Sequence, residues 1–292
     1  MVLFCLEWKT EHSFKNEGLV RLKMRDWYDF ILKKGNKNTL NRFEYTDEVL
    51  IYNQRNFKEN FNFDSFKKNE HGFKTYSYLK NKLKKKQIFF VGSSWGWVEF
   101  FLSKEFPLIA SDINENYVNF HKNNSKFEYI KFDILEEKIE KHLENKFEQV
   151  VVNNIEYLFD QNQMQKCLYN LSKIIKKDGD MFFMFRSKDS LLIKIIDNYL
   201  LPLENIIVKY IKNLSEDKVF LTKNHHGYRR DEKDFINIIK KNNYELKSIY
   251  REMFDAEYNR LRILRYLKIS KLLSTIFFKL HSHLNIIHFK KQ

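Results

Sequence analysis

One stretch, residues 87–112, constrains the fold more than any other part of the chain. It begins with an apolar run from Gln87 to Val91, which is typical of a buried strand and ends abruptly at Gly92. Apolar residues then recur at three- and four-residue steps until Pro107, as expected of a helix. A second apolar run leads to Asp112. This order of strand, tight turn, helix, strand and acid predicts an α/β fold.

The turn in this stretch has the features of a nucleotide-binding loop. The chain has only 7 glycines, and two of them, Gly92 and Gly96, stand in this turn. Glycine lets the backbone approach a ligand closely, and an acid at the end of the next strand, here Asp112, can accept both hydroxyls of a ribose. A dinucleotide-binding loop would need a small residue where Trp97 stands. The sequence therefore predicts a nucleoside-bearing cofactor and disfavours a nicotinamide or a flavin.

The segment from Phe90 to Gly96 resembles the first motif of the class I S-adenosylmethionine-dependent methyltransferases, acid-x-G-x-G-x-G. Gly92, Ser94 and Gly96 take the glycine positions, and Phe90 stands where the acid usually closes the first strand. The resemblance implies a Rossmann-like seven-stranded, mostly parallel sheet with helices on both faces, plus an N-terminal helical lid and a C-terminal helical extension. It also implies S-adenosyl-L-methionine as the cofactor.

Further elements follow in the order that this family shows, so the resemblance covers roughly residues 73–186. FEYIKFDIL reads as a short strand that delivers Asp133, and FEQVVVNN reads as a buried strand that ends at Asn153 and Asn154. The run from Met181 to Phe185 follows as a fifth strand, and a sixth begins at Tyr244.

The resemblance also implies a set of cofactor contacts. The turn would approach the methionine end of the cofactor, Asp112 would hold the ribose, Asp133 would receive the adenine amino group, and Asn153 would lie beside the reaction centre. Ile113 would pack on the face of adenine, and the backbone N–H of Ile134 would meet its ring. The implied cofactor-binding residues are Gly92, Ser93, Ser94, Gly96, Asp112, Ile113, Asp133, Ile134 and Asn153.

Candidate catalytic residues are Asn153 and three residues of the predicted loop before the sixth strand, His225, His226 and Tyr228. One of these loop residues could orient or deprotonate a nucleophile. The alternative is that the loop histidines have no chemical role. The sequence shows no metal-ligand spacing and no Ser-His-Asp pattern, so no metal is expected.

The chain divides into three predicted regions. Residues 1–86 form a helical lid, in which Tyr76 and Tyr78 either face the pocket or pack on the sheet. Residues 87–257 form the Rossmann-like domain, with a helical insertion at 189–225. Residues 258–292 form a basic amphipathic extension.

The extension carries much of the net charge of +14, because it contains eight Lys or Arg residues and no acid. Its apolar residues form a helical stripe with Lys268, Lys271 and Lys279 on another face. Such a helix could contact an anionic membrane peripherally, or it could dock on the chain's own sheet or on a protein partner. The N-terminus does not read as a signal peptide and no long apolar run is present, so a cytoplasmic location is expected.

The function predicted from these features is methyl transfer by direct displacement to a small-molecule acceptor, or to one of lipid or saccharide type. The polar end of the fourth strand continues as Ile155-Glu156-Tyr157 and not as Pro-Pro-Tyr, which disfavours methylation of DNA base amino groups. Two alternatives stay open. One is a nucleic-acid methyltransferase acting on RNA, which the basic charge favours, although biased composition also explains that charge. The other is a catalytically silent methyltransferase-like binding or scaffold subunit, which Phe90 would allow.

Overall fold

The computed structural model describes residues 62–68, 70–187, 199, 203, 230–251 and 284–292. Its helices are α1 (Phe63–Lys68), α2 (Glu70–Lys82), α3 (Trp97–Leu102), α4 (Glu115–Asn124), α5 (Gln161–Ile174) and α6 (Glu232–Lys240). Its strands are β1 (Ile88–Val91), β2 (Leu108–Asp112), β3 (Glu128–Lys131), β4 (Phe147–Val152), β5 (Ile175–Arg186), β6 (Tyr244–Tyr250) and β7 (Leu284–Lys291). Two short 3-10 helices lie at Lys141–Leu143 and Glu156–Leu158.

The strands form one seven-stranded sheet in the order β3-β2-β1-β4-β5-β7-β6. β1 pairs in parallel with β2 and β4, and the outer pairs β2 with β3 and β4 with β5 are also parallel. β7 is antiparallel to both of its neighbours. This arrangement confirms the predicted Rossmann-like, mostly parallel sheet. It also places a change in winding direction between β1 and β4, where the carboxyl ends of the strands open a crevice for ligands.

Apolar side chains on both faces of the sheet explain why its central strands contain almost no polar residues. Phe89 and Phe90 are both fully buried, but they point to opposite faces and belong to separate cores. Phe89 packs in the core that α5 and α6 cover. Phe90 packs in the core that α1 to α4 cover. The position where the family motif has an acid is therefore an interior position of the sheet in this chain.

The helices before β1 belong to the second of these cores. Phe66 of α1 stacks on Phe101 of α3 with ring centroids 4.4 Å apart. Tyr76 and Tyr78 of α2 are buried, and Tyr78 stacks on Tyr250 of β6 at 4.4 Å. Of the two alternatives for these tyrosines, the structure shows packing against the sheet and its helices. Residues 1–61 of the predicted lid lie outside the described residues.

Residues 284–291, which the sequence analysis placed in the C-terminal extension, form β7 between β5 and β6. Ile286, Ile287 and Phe289 are fully buried. Lys291 Nζ donates hydrogen bonds to the carbonyl oxygens of Ser172 and Ile175. The end of the predicted extension is therefore a strand of the sheet. The side chains of this strand alternate between the two cores.

Several predicted features fall outside the described residues. They are most of the helical insertion at 189–225 and residues 252–283 of the connection between β6 and β7, which include the predicted basic stripe. Within the described ranges, no helix is long and apolar enough to cross a membrane. The same ranges contain no group of three or more His, Cys, Asp or Glu side chains that could hold a metal ion.

Candidate functional site

The turn between β1 and α3 adopts left-handed backbone conformations at three positions. The φ angles are 75° at Gly92, 49° at Ser94 and 61° at Gly96. The backbone N–H groups of Gly92 and Ser93 both donate to the Ser111 carbonyl oxygen, at 3.0 and 2.9 Å. The turn is thus bonded to the last residues of β2, and it lies where the crevice between β1 and β4 opens.

Both glycines are required by close packing within the protein. A Cβ atom on Gly92 would stand 2.4 Å from Ile155 Cγ2, and Ile155 follows β4. A Cβ atom on Gly96 would stand 3.1 Å from His121 Nε2. The close approaches that glycine permits here are therefore to Ile155 and His121, and contact between the turn and a cofactor stays a prediction.

His121 and Tyr129 support the turn from the side of α4 and β3. Their rings stack in parallel with centroids 4.4 Å apart. Tyr129 donates a hydrogen bond to the Ser94 carbonyl oxygen at 2.6 Å, and His121 Nε2 lies 3.1 Å from the Trp95 carbonyl oxygen. Burial lowers the pKa of His121 to about 4, so its ring is neutral at neutral pH and donates to Trp95.

Asp112, at the carboxyl end of β2, joins the turn to the loop that starts α4. Its Oδ2 accepts the backbone N–H of Ser94 at 2.9 Å, and its Oδ1 accepts that of Asn114 at 3.0 Å. Burial raises the pKa of Asp112, while the hydrogen bonds from the backbone N–H groups of Asn114, Ser94 and Ile113 oppose the rise. The predicted ribose acid therefore has a defined orientation beside the glycine turn.

The predicted adenine residues follow β3. Asp133 Oδ1 accepts the backbone N–H of Leu135 at 2.9 Å, which fixes the carboxylate over the first turn of this loop. Ile113 is half-buried, whereas Ile134 is buried in the core that α5 and α6 cover. Asp112 ends β2, and Asp133 lies two residues after the end of β3. These strands are parallel neighbours, so the sheet brings both residues to the same edge.

Asn153 follows β4 directly, and its backbone N–H donates to the Val91 carbonyl oxygen at 2.9 Å. Its side-chain Nδ2 donates to Glu99 Oε1 at 2.5 Å. The other amide atom, Asn153 Oδ1, is buried without a hydrogen-bond partner in the described part of the chain, and so is Asn154 Oδ1. Buried polar atoms are normally hydrogen-bonded. Two unsatisfied acceptor oxygens therefore lie side by side in the sequence at the end of β4.

Sequence reasoning missed Glu99, which lies in the first turn of α3 and is 1% exposed. Burial raises the pKa of Glu99 to about 7, although hydrogen bonds, including the one from Asn153, oppose that rise. A signal for it exists in the sequence. Glu99 stands three residues before Leu102, on the apolar side of the helix that the pattern predicts, where a carboxylate is unexpected.

The described residues bring together the turn, Asp112, Asp133 and Asn153 at one edge of the sheet. The remaining candidates, His225, His226 and Tyr228, lie outside the described residues. Their catalytic role stays a prediction.

Comparisons with known proteins concern the fold. No protein-family model matches the chain, and no curated protein matches its sequence. Solved structures do match. The PH0226 protein of Pyrococcus horikoshii OT3 is 11% identical with a TM-score of 0.50, and the match covers 80% of this chain and 93% of that one. A SAM-dependent methyltransferase from Archaeoglobus fulgidus is 16% identical, with a TM-score of 0.48 and coverage of 75% and 94%.

A TehB-like SAM-dependent methyltransferase from Corynebacterium glutamicum is 13% identical, with a TM-score of 0.46 and coverage of 74% and 87%. Of these three structures, the PH0226 protein alone reaches a TM-score of 0.50, and at 11% identity that likeness shows a shared fold alone. It agrees with the Rossmann-like architecture that the strand order shows.

Burial of Glu99 predicts a pH dependence of stability. Its pKa in the folded chain, about 7, is above the ordinary 4.5, so the folded state holds a proton that the unfolded state has lost between these pH values. The contribution of Glu99 to the free energy of unfolding is full below pH 4.5 and is lost as the pH rises through 7. We expect Glu99→Gln to remove this loss, which is about 3 kcal/mol for such a shift. Urea unfolding of both proteins from pH 4.5 to 8 measures it.

The comparison with Glu99→Gln is needed because His121 acts in the opposite direction. Its pKa is lowered to about 4, so its contribution to stability grows as pH rises from 4 to its ordinary value of 6.5. Both proteins contain His121, so the difference between their free energies of unfolding isolates Glu99. A difference that does not change with pH would contradict the burial of Glu99 as a protonated acid.

Proposed function

We propose that this chain is an S-adenosyl-L-methionine-dependent methyltransferase that acts on a small-molecule acceptor or on one of lipid or saccharide type. The observation that carries the proposal is the position of Asp112. Its carboxylate ends β2 beside a left-handed glycine turn, in the crevice where the winding of the sheet changes direction. Nucleoside-bearing ligands bind α/β sheets at this place.

Asp112 has the acceptor capacity that a ribose requires. A carboxylate has about four lone-pair positions on its two oxygens. The N–H of Ser94 takes one position on Oδ2, and that of Asn114 takes one on Oδ1. With the bond from the Ile113 N–H also counted, the carboxylate keeps acceptor capacity for a hydroxyl donor. The bonds from the backbone also fix the carboxylate before a ligand arrives, which reduces the entropy lost on binding.

The other ends of the cofactor have counterparts along the same edge. The unsatisfied oxygens of Asn153 and Asn154 suit the ammonium group of the methionine moiety, because an ammonium ion offers three donors and no acceptor. Asp133, which lies two residues after β3, suits the amino group of adenine. These assignments agree with the order of the strands, in which β3, β2, β1 and β4 lie side by side.

The cofactor supplies an electrophilic methyl group on its sulfonium. The residues of this chain then have to bind both reactants in line, hold them at reacting distance and exclude water. Asn153 lies at the end of β4 and would border the reacting centre. A loop residue, His225, His226 or Tyr228, would receive the acceptor's proton when the acceptor is not deprotonated beforehand.

Replacement of Asp112 tests the cofactor site. We expect Asp112→Ala to weaken binding of S-adenosylhomocysteine at least tenfold, because charge-assisted hydrogen bonds to the ribose are lost and the turn loses its anchor at Ser94. Isothermal titration calorimetry of the full chain measures the change. Circular dichroism of the same sample reports whether the fold is retained.

Asp160→Ala is the matched control. Asp160 also accepts a backbone N–H, that of Gln163 at 2.8 Å, where it caps the first turn of α5. Losing this cap costs about 1 kcal/mol of stability without touching the crevice. Equal affinities of the two variants for S-adenosylhomocysteine would remove Asp112 from the cofactor site.

The acceptor class is tested with a methyl-labelled donor. The full chain is incubated with labelled S-adenosylmethionine and either a small-metabolite and lipid extract or total RNA, with Asp112→Ala as the inactive control. We expect label in the first extract alone, because the described side chains at the crevice, those of Asp112, Asp133, Asn153 and Asn154, are acidic or neutral and do not attract phosphates. Label in RNA, falling steeply with salt, would favour the nucleic-acid alternative. Binding of the cofactor product without any labelled acceptor would favour the silent subunit.

The basic stripe of residues 258–283 is proposed to contact an anionic membrane or a protein partner, on the charge pattern of the sequence alone. If it binds lipid, Lys268, Lys271 and Lys279 changed together to Gln should reduce sedimentation with phosphatidylserine vesicles. Changing Lys122, Lys126 and Lys138, which are exposed and lie elsewhere, to Gln removes the same charge and should leave sedimentation unchanged. If the two triple variants sediment equally with the vesicles, the stripe does not bind lipid. The alternative that it docks on the chain's own sheet or on a protein partner would then hold.

A further inference from the structure

The contact between Glu99 and Asn153 has a consequence for ligand recognition that neither the fold nor the glycine turn explains. Glu99 is 1% exposed, and carboxylates are rarely buried without a specific partner. Its partner is the Asn153 amide, whose Nδ2 donates to Glu99 Oε1 at 2.5 Å. The bond connects the first turn of α3 to the end of β4.

This bond fixes the orientation of the Asn153 amide. A primary amide has a donor group on its nitrogen and an acceptor on its oxygen. Glu99 holds the nitrogen, and Oδ1 is the buried atom that lacks a partner in the described ranges. Without an acceptor at position 99, the amide could rotate and present Nδ2 instead, which would repel a donor group on the ligand.

The adjacent residue extends the same acceptor surface. Asn154 has a left-handed backbone, with φ of 51°, and its Oδ1 is also buried without a partner in the described chain. The end of β1 adds no carboxylate here, because the position that holds an acid in the family motif is Phe90, which is fully buried in the sheet. The end of β4 therefore offers neutral acceptors, arranged by a carboxyl group that itself stays out of reach.

We propose that Glu99 is a positioning residue that orients the Asn153 amide, so that Asn153 Oδ1, with Asn154 Oδ1, accepts hydrogen bonds from the methionine ammonium of the cofactor. The inference rests on the proposed function. It assigns selectivity for the amino-acid end of the cofactor to a residue on α3 that contacts no ligand. Asp112 and Asp133 would bind the nucleoside end of the cofactor.

Two near-isosteric variants separate positioning from packing. Glu99→Gln keeps an acceptor oxygen for Asn153 Nδ2, whereas Glu99→Met keeps the length of the side chain and removes the acceptor. Calorimetry of the full chain is done with two probes. S-adenosylhomocysteine carries the ammonium, and 5′-methylthioadenosine has the same nucleoside and no amino-acid end.

We expect Glu99→Met to weaken S-adenosylhomocysteine about tenfold, as for a lost hydrogen bond to a charged group. Glu99→Gln should stay within about threefold of the original chain, and both variants should bind 5′-methylthioadenosine as the original chain does. Asn153→Ala removes Oδ1 itself, so it should also weaken S-adenosylhomocysteine and leave 5′-methylthioadenosine binding unchanged. This variant tests the proposal if Glu99→Met fails to fold.

Three results would overturn the proposal. Equal affinities of Glu99→Met and Glu99→Gln for S-adenosylhomocysteine would show that the acceptor oxygen does not matter. Equal losses for both probes would make Glu99 a structural support of the turn. Unchanged S-adenosylhomocysteine binding by Asn153→Ala would direct Asn153 to the acceptor substrate. If the original chain binds neither probe, the proposed function itself fails, which is distinguishable from all three.

Discussion

The hydrogen bond from the Ser94 backbone N–H to Asp112 Oδ2 fixes the geometry on which the crevice depends. Ser94 has a positive φ, which is unfavourable for a residue with a side chain and persists only when its surroundings hold it. Asp112 holds its N–H and Tyr129 holds its carbonyl oxygen. The carboxylate and the turn are therefore one unit. A ligand that bonds to Asp112 meets a turn that is already ordered, and a change that loosens the turn also releases the carboxylate.

The parts of the fold and site that the sequence predicted are those set by local pattern. β1, β2 and β4 are short, mainly apolar runs because both faces of a central parallel strand are buried, and Gly92, Asp112 and Asn153 mark where they end. Parallel pairing then brings the strand ends to one edge. Asp112, Asp133 and Asn153, which the family resemblance implied as cofactor contacts, lie at or just after these strand ends.

The parts that the sequence did not predict depend on contacts between distant residues. β7 pairs with β5 across about a hundred residues, as in the pair Asp180 and Lys290, and its short run follows a basic helical stripe that dominates the local pattern. Glu99 reads as an ordinary helix acid until the Asn153 amide is placed beside it. The neighbours of Gly96 were also beyond sequence reasoning, since His121 comes from another helix.

The position of β7 has a consequence for how the chain is made. Among the described strands, β6 pairs with β7 alone, and β7 also covers the edge of β5, so both of these pairings require residues beyond 283. A ribosome adds roughly 5–20 residues each second. During that interval β5 and β6 present unpaired backbone edges, which are templates for wrong pairing with other chains. Completion of this sheet therefore follows synthesis of β7, and conditions that slow elongation between β6 and β7 lengthen the time in which these edges are exposed.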